Sequence, residues 1–319
     1  MQTLVSYHPD FPHEGYTLTR KRLEPTFQYL KNYISDLKDE AANTVKFEVP
    51  STIDQNLIKQ VHSQQLIKHV TKIRYYKVAL LSAGSTVLCA DKVWNGRVKN
   101  TFAFTGTAGH HASVNSCWGF SYLNHIALAI AHLRQNYEIS RILIVDTDPH
   151  LGDGTKKIFK MDPNVLHLDF YVSKHVKELN YSHKIDIPLP PEISDNSHNW
   201  AVKRVLDHIK LPFDLMFWYF GHDGHYQDYG GWQLTLYCYP ALADVIIKAS
   251  ERLCNGRLVT VLGGGENIEI AQSSITSVIT RMANVPSPVI EDEEPVELPE
   301  TFETVKDTVN KILNSYNDP

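Results

Sequence analysis

The amino-acid sequence predicts an α/β fold, a three-layer sandwich in which helices cover both faces of a central, mostly parallel β-sheet. Residues 142–145 are four consecutive branched apolar residues, a pattern that is typical of a central strand buried on both faces. Apolar runs at residues 165–169, 213–220 and 257–262 predict further strands. Because strands and helices alternate along the chain, a parallel sheet is favoured over an antiparallel one.

The remaining elements are predicted from hydrophobic periodicity and turn residues. Short strands are predicted at residues 3–7 and 101–104. Helices are predicted at residues 18–37, 51–70, 78–94 and 121–133, with a short helix opening at residues 152–155. Gly84 and Ser85 predict a break in the third of these helices. All of these helices are expected to pack on the sheet.

The length and composition predict one folded domain with a tail. The 319 residues are 43% hydrophobic and 21% charged, which is ordinary for a globular protein with a large core. We expect residues 1–284 to form a single α/β domain and residues 285–299 to form an acidic, proline-rich linker. Residues 300–319 are expected to form a C-terminal helix that packs back on the domain. No internal repeat is visible.

The charge and the cysteines limit the classes of function. A formal net charge of -5, without a long basic cluster, argues against direct binding to nucleic acid. No apolar run approaches the roughly 20 residues that a membrane-spanning helix needs, and the amino terminus lacks a signal-peptide pattern, so a soluble protein is predicted. The four cysteines have no C-x-x-C spacing, which favours reduced thiols and a cytoplasmic location. The sequence indicates no oligomeric state.

Polar side chains follow three predicted strands at the points where these strands end. Asp148 and His150 follow the central strand two residues apart, so in an extended segment both can reach one metal ion at about 2 Å. Alone, such a pair is more often a helix cap and a surface histidine than a pair of metal ligands. Asp223 follows another strand and adds a third ligand, which is the usual number for catalytic zinc, although iron(II) or cobalt(II) also fits. His110 and His111 follow a third strand and are natural general bases. The sequence thus predicts a metal hydrolase site.

Seven short motifs occur in order along the chain. They are Val-His-Ser at 61–63, Ala-Gly-Ser-Thr at 83–86, Gly-His-His-Ala at 109–112, Gly-Phe-Ser-Tyr-Leu-Asn at 119–124, Asp-Thr-Asp-Pro-His at 146–150, Gly-Asp-Gly-Thr at 152–155 and Gly-Gly-Trp-Gln-Leu-Thr at 230–235. Over residues 7–281 the chain resembles the histone deacetylase superfamily, which includes acetoin utilisation proteins and acetylpolyamine amidohydrolases. The resemblance implies an α/β fold of the arginase-deacetylase type and a deacetylase-like domain.

The resemblance also implies an activity and the residues that carry it. A zinc-dependent amidohydrolase is implied, which removes an acyl group, most simply acetyl, from a small-molecule amine or from lysine. The implied zinc ligands are Asp148, His150 and Asp223. Of the tandem histidines His110 and His111, one is implied to be the base that activates water and the other to assist the leaving amine. Asp146 and Asp153 are implied to hydrogen-bond these two histidines, which fixes the tautomer and raises basicity.

Two further groups of residues match the superfamily. Gly119 and Phe120 match the wall of an acyl-lysine tunnel, where an aromatic face contacts the alkyl chain. A second match implies a structural monovalent cation, for which potassium is the candidate. The residues of that match are Asp146, Asp148, His150, Asp169 and Phe170.

The chain departs from the superfamily at Glu266. Residues 263–269 read Gly-Gly-Gly-Glu-Asn-Ile-Glu where the superfamily reads Glu-Gly-Gly-Tyr-Asn-Leu-Glu, so Glu266 replaces the tyrosine that polarises the scissile carbonyl. An ionised carboxylate would repel the oxyanion, and losing one such donor typically costs about 3–4 kcal/mol. Three alternatives remain open. Glu266 is protonated by burial and donates a hydrogen bond, a nearby tyrosine such as Tyr226 or Tyr229 substitutes, or Glu266 binds a cationic substrate.

These departures leave two other functions open. The first is a catalytically weak or inactive zinc-binding homologue, and the second is a hydrolase of a different cationic substrate, a polyamine or a guanidino compound. Gly221 stands where an arginase-like site needs a second carboxylate, which argues against two metal ions. Leu151 replaces a histidine that is not a ligand, and residues 170–173 lack the usual histidine-and-glycine loop of the tunnel. The substrate class is therefore left open.

Overall fold

The protein is described by a computed structural model that covers residues 2–37, 39–173, 184–294 and 296–316. The strands in these residues are β1 (Thr3–Ser6), β2 (Val45–Glu48), β3 (Asn100–Ala103), β4 (Ile142–Asp146), β5 (Val165–Val172), β6 (Lys184–Leu189), β7 (Leu215–Phe220) and β8 (Leu258–Leu262). They form one sheet in the order β2-β1-β3-β8-β7-β4-β5-β6, and every neighbouring pair is parallel. The predicted α/β fold is confirmed.

Helices cover both faces of this sheet. They are α1 (Phe11–Glu14), α2 (Leu23–Asp36), α3 (Gln55–Val61), α4 (Gln64–Val70), α5 (Tyr76–Trp94), α6 (His125–Asn136), α7 (Asp153–Ile158), α8 (Asp195–His208), α9 (Cys238–Cys254), α10 (Ile268–Ala283) and α11 (Pro299–Ser315). Short 3-10 helices occupy Thr19–Arg22 and Asp39–Thr44. Within the described residues, no helix is both long and apolar enough to cross a membrane.

Two apolar cores explain the continuous apolar run of the central strand. Leu143 and Val145 of β4 belong to the core on one face of the sheet, whereas Ile142 and Ile144 belong to the core on the other. Successive side chains of a strand point to opposite faces, so a strand that is covered on both sides needs apolar residues at every position. The four cysteines, all within the described residues, are free thiols.

Polar capping residues divide a segment that the periodicity predicts as one helix. Residues 51–70 form two helices, α3 and α4, because Ser63 caps α4 with its side-chain oxygen, which accepts the N–H of Leu66 at 3.3 Å. The helix predicted at residues 121–133 likewise starts later, at His125, since Asn124 accepts the N–H of Ala127 at 2.9 Å. Apolar spacing alone does not show where such a helix begins. The elements β2, β6, α1, α8, α9 and α10 have no counterpart among the predicted elements.

The predicted break at Gly84 is wrong, because α5 is continuous through this residue. A Cβ atom at Gly84 would lie 1.8 Å from the carbonyl oxygen of Ser51. The glycine is therefore explained by a close approach between the helix and the chain at Ser51, which leaves no room for a side chain.

The chain after α10 returns along the domain surface. Asp292 accepts the N–H of Leu236 at 2.6 Å, and Glu297 accepts the N–H of Ser194 at 2.7 Å, so two acids of this segment contact the domain. Helix α11 buries Val305, Val309 and Leu313 in the core to which α8 also contributes. Pro295 of the predicted linker and residues 317–319 of the predicted C-terminal helix lie outside the described residues. The division into domain, linker and tail stays a prediction.

A buried histidine joins three segments of the fold. In His62, Nδ1 donates to the carbonyl oxygen of Ser113 at 2.8 Å, and Nε2 accepts the N–H of Asn124 at 3.0 Å. The contact with Asn124 requires the neutral ring, because a protonated Nε2 cannot accept a hydrogen bond. Burial lowers the pKa of His62 to about 4, although the bond to Ser113 opposes this shift. Protonation of Nε2 would break the bond to Asn124 at the start of α6.

Replacing Gly84 with alanine is expected to lower the free energy of unfolding by about 1–3 kcal/mol, because the new Cβ would overlap with Ser51 and push the two segments apart. At a helical position without such a neighbour, the same substitution stabilises by up to about 1 kcal/mol. Urea denaturation of the two proteins measures the sign of the effect. A more stable Gly84→Ala variant would contradict the close approach.

His62 is expected to make the protein less stable in acid. Above about pH 6.5 the ring is neutral in both the folded and the unfolded chain and adds no pH dependence. Below that pH the unfolded chain binds a proton at this histidine, whereas the buried ring of the folded chain stays neutral. The free energy of unfolding therefore falls until about pH 4, by about 3 kcal/mol in total. Urea denaturation at pH 7 and pH 5 should show a smaller difference for His62→Gln than for wild type. His69→Gln, which removes an exposed histidine of α4, is the control, and an equal effect of both variants would refute the prediction.

Candidate active site

Three of the predicted ligands meet at the carboxyl ends of two paired strands, β4 and β7. Nδ1 of His150 lies 3.0 Å from Oδ1 of Asp148 and 3.1 Å from Oδ2 of Asp223. One ligand atom from each residue lies within 4.8 Å of the others, so a single metal ion can contact all three. The two carboxylates are buried and the imidazole is partly exposed.

The surroundings of these carboxylates fit a cation. Neither carboxylate oxygen of Asp223 has a hydrogen-bond partner in the described residues, although the side chain is fully buried. A Cβ atom at Gly221 would lie 2.5 Å from Oδ1 of Asp223, and one at Gly264 would lie 2.3 Å from Oδ2. Glycine thus lets the backbone approach the acid from two sides. Because a buried, unpaired carboxylate is costly, a metal ion is the partner that this donor set of oxygen and nitrogen fits.

The pKa values show how strongly these groups interact. Burial raises the pKa of Asp223 to about 7, and the negative charge of Asp148 adds to the shift. Burial alone would lower the pKa of His150, but the nearby negative carboxylates of Asp148 and Asp223 raise it to about 11. The two acids therefore favour a positive charge beside them. A divalent metal ion supplies such a charge in exchange for the imidazole proton.

The tandem histidines lie beside this cluster, each held by a different acid. Nδ1 of His110 is 2.9 Å from Oδ2 of Asp146, and Nδ1 of His111 is 3.2 Å from Oδ1 of Asp153. Burial lowers the pKa of both histidines to about 4. Both rings are therefore neutral near pH 7. With the Nδ1 proton directed to a carboxylate, Nε2 of each ring is free to accept a proton. The structure brings together all four residues that the sequence predicts here.

Trp118 is a site residue that the sequence analysis does not identify. Its ring stacks on His111 with a centroid distance of 3.8 Å, and its Nε1–H donates to Oδ1 of Asp153 at 2.9 Å. Lys157 donates to the other oxygen of Asp153 at 2.5 Å. Burial alone would raise the pKa of Asp153, but the hydrogen bonds from His111 and Lys157 lower it. The only signal for Trp118 in the sequence is that this aromatic residue stands directly before the motif that begins at Gly119.

A cavity of about 220 Å³ opens onto the cluster. It is lined by Thr19, Arg22, Thr105, Thr107, Ala108, His110, His111, Trp118, Gly119, Phe120, Asp148, His150, Tyr229, Gly263 and Gly264. Both predicted wall residues, Gly119 and Phe120, are among them. Gly119 has a φ of +54° and lies so close to His111 that a Cβ atom would be 2.4 Å from its ring. Phe120 stacks on Tyr16 with a centroid distance of 3.9 Å, which fixes one aromatic wall.

Glu266 does not line this cavity. Its side chain is exposed, and its backbone N–H donates to Asp228 at 3.1 Å. The burial that the first of the three alternatives requires is therefore absent at this position. Of the two nearby tyrosines, Tyr229 lines the cavity, whereas the hydroxyl of Tyr226 donates to Asp292 at 3.3 Å.

The residues of the predicted monovalent-cation site belong to the neighbouring strands β4 and β5 and to the segment that directly follows β4. Asp146 and Asp169 are register partners in the sheet, and Phe170 is buried next to Asp169. Nε2 of His167 lies 4.0 Å from a carboxylate oxygen of each acid, and these three side chains form a second group that can hold a metal ion. Oδ1 of Asp169 and both ring nitrogens of His167 have no hydrogen-bond partner in the described residues. The sequence analysis does not include His167, which lies two residues before Asp169 on the same strand face.

Known proteins share this arrangement of elements and motifs. The family model of the histone deacetylase domain matches residues 28–282. A probable deacetylase of Archaeoglobus fulgidus is 32% identical over 209 residues, which cover 60% of this chain and 56% of that protein. Human histone deacetylase 9 is 30% identical over 67% of this chain and 23% of its own length. Polyamine deacetylase HDAC10 of Mus musculus is 29% identical over 67% of this chain and 34% of its own length. The chain thus spans between 23% and 56% of the length of these relatives.

A solved structure has the same fold. The HD domain of HDA15 superposes with a TM-score of 0.82 at 21% sequence identity, covering 99% of this chain and 96% of that domain. This similarity confirms the arginase-deacetylase type of α/β fold. Because the family model covers most of the chain, the resemblance inferred from the seven motifs is confirmed as well. The chain belongs to the histone deacetylase family.

Proposed function

We propose that the protein is a zinc-dependent amidohydrolase that removes an acyl group, most simply acetyl, from a small-molecule amine or from lysine. The observation that carries the proposal is the group of Asp148, His150 and Asp223 beside two neutral, carboxylate-bound histidines in one cavity. Family membership supports a hydrolytic deacetylase, and the relatives named above include deacetylases of proteins and of polyamines by their names.

Asp148, His150 and Asp223 are the residues that would hold the metal. The unpartnered oxygens of Asp223 and the glycines packed against it support this assignment. A zinc ion bound there supplies a Lewis acid that polarises an amide carbonyl and activates water, and iron(II) or cobalt(II) would serve in the same donor set. For the acids near Asp169 we propose a structural monovalent cation such as potassium, supported by the unpartnered Oδ1 of Asp169.

The two histidines move the protons of the reaction. Hydrolysis forms a C–O bond with the oxygen of water and breaks the C–N bond of the amide. A neutral histidine accepts a proton from the water at Nε2, and a proton passes to the amine nitrogen as it leaves. Asp146 and Asp153 stabilise the imidazolium that forms, because each is within 3.2 Å of an Nδ1. His110 and His111 are 4.0 Å apart between ring centroids, so both can reach one reacting amide.

The shape and charge of the protein support the proposed substrate. Gly119 and Phe120 form part of a narrow, aromatic-walled cavity, which suits the alkyl chain of an acylated amine. The formal net charge of -5 does not favour a nucleic acid as a partner, and a cytoplasmic location is proposed from the cysteine pattern. Exposed Glu266 leaves a cationic polyamine as a second candidate substrate.

The zinc-loaded protein is expected to deacetylate a fluorogenic acetyl-lysine peptide or acetylspermidine. Asp148→Ala should reduce turnover to the background rate, because it removes a proposed metal ligand. Asp244→Asn, which breaks only a surface ion pair with Arg281, is the control and should keep wild-type turnover. Equal turnover of Asp148→Ala and wild type would refute the proposal. A wild type that binds zinc but is inert on every acyl substrate would identify a non-catalytic homologue.

Asp223→Asn is expected to weaken zinc binding, because the amide removes a negative charge that the metal ion would neutralise. Atomic emission of dialysed protein should detect about one zinc ion per chain in wild type and much less in the variant. Asp244→Asn is again the control, since this acid is partly exposed and forms its ion pair with Arg281 at the surface. Undiminished zinc in Asp223→Asn would exclude this acid as a ligand. Because metal content is measured directly, the result does not depend on the choice of substrate.

A further inference from the structure

Acyl hydrolysis needs a hydrogen-bond donor for the negative charge that develops on the carbonyl oxygen. Several polar groups of the cavity already have partners. Trp118 donates to Asp153 and Thr105 donates to the carbonyl of Leu262 at 2.8 Å. Arg22 donates to the carbonyl oxygens of Gly263 at 2.5 Å and Gly264 at 2.6 Å. Glu266 is exposed and carries a carboxylate, which is an acceptor when ionised.

Tyr229 has the geometry that such a donor requires. It lines the cavity together with Asp148 and His150, and its ring centroid lies 5.6 Å from that of His150. The hydroxyl oxygen accepts the N–H of Gly265 at 3.1 Å, and within the described residues the hydroxyl makes no other hydrogen bond. Its proton is therefore directed to no protein acceptor and can be donated to a ligand. The ordinary pKa of a tyrosine hydroxyl is about 10, so this hydroxyl keeps its proton at neutral pH.

Asp228 joins the loop of Tyr229 to the glycine loop that follows β8. Its carboxylate accepts the N–H of Tyr229 at 2.9 Å, of Asn267 at 3.0 Å and of Glu266 at 3.1 Å. Burial alone would raise the pKa of Asp228, but the interaction with His222 and the backbone hydrogen bonds lower it to about 2. The carboxylate of Asp228 is therefore ionised at neutral pH. The hydroxyl of Tyr229 is thereby fixed against the backbone one residue before Glu266.

From this geometry we infer that Tyr229 is the catalytic residue that donates a hydrogen bond to the substrate oxyanion, in place of the tyrosine that Glu266 replaces. The inference rests on the proposed function. It assigns the donor to the loop after β7 and not to the loop after β8, while the backbone of both loops is held by one carboxylate, Asp228. No bond of Tyr229 is made or broken in this role, since its hydroxyl proton is shared with the oxyanion and returns when the product leaves.

The test compares zinc-loaded wild type with Tyr229→Phe on an acetyl-lysine peptide. Loss of one oxyanion donor is expected to lower kcat by about 100- to 1,000-fold with little change in KM. Tyr226→Phe makes the same chemical change at a hydroxyl that contacts Asp292 outside the cavity, and it should keep wild-type kcat. A second readout is binding of a trifluoromethyl ketone analogue, whose hydrate mimics the tetrahedral adduct. Calorimetry should show it weakened by a similar factor in Tyr229→Phe alone.

A rescue variant separates catalysis from folding. In Tyr229→Phe/Glu266→Tyr, a tyrosine at the family position should restore much of the lost kcat, which a folding defect would not allow. Wild-type kcat and analogue affinity in Tyr229→Phe, with Asp148→Ala inactive, would overturn the inference and leave the proposed function standing. A loss of activity that accompanies lost zinc or a lowered Tm and is not rescued would overturn it too. An inert wild type that contains zinc would refute both the function and the inference.

Discussion

Buried negative charge at the carboxyl ends of β4 and β7 constrains the groups around it. Asp146, Asp148 and Asp223 are almost completely buried within one small volume, where unpaired carboxylates cost several kcal/mol each. Each carboxylate has a different set of contacts. His110 and the N–H of Asp148 contact Asp146, the N–H of Gly264 donates to Asp148 at 2.7 Å, and Asp223 is left for a cation. The glycines packed against these acids and the proposed metal ion follow from this concentration of charge, whereas burial keeps the two histidines neutral.

The strands that deliver these acids could be predicted because their pattern is local. Residues 142–145 of β4 each enter a core on one face or the other, so the apolar run and the acids that follow it are visible in the nine residues 142–150. The same holds for His110, which follows β3. Partners that meet only after folding carry no such signal. Arg22 contacts Gly263, 241 residues away, and Trp118 contacts Asp153, 35 residues away, so neither contact could be predicted from spacing.

Where the sequence predictions of elements differ from the structure, a tertiary or capping contact decides. Gly84 has the sequence signature of a helix break, yet α5 continues because the absent side chain makes room for the carbonyl of Ser51. Ser63 lies inside an apolar period that predicts one helix, yet its side chain caps a second. In both places the sequence shows the residue type but not its structural role. That role depends on a neighbour in space or on the direction of the backbone. Periodicity reports which face is buried, and it carries little information about ends and close approaches.

The glycine loop after β8 keeps its backbone conformation independently of the side chain at position 266. Arg22 holds the carbonyl oxygens of Gly263 and Gly264, and Gly265 has a φ of +114°, with so little space that a Cβ atom would lie 2.2 Å from the ring of His222. The backbone of this loop is therefore set by glycines, an arginine and Asp228, and the side chain at position 266 contributes nothing to that support. A tyrosine and a glutamate can occupy this position on the same backbone, so the fold persists while the chemistry of the loop changes. The proposed activity consequently depends on which side chain faces the substrate, and Tyr229 is the hydroxyl that we infer to lie there.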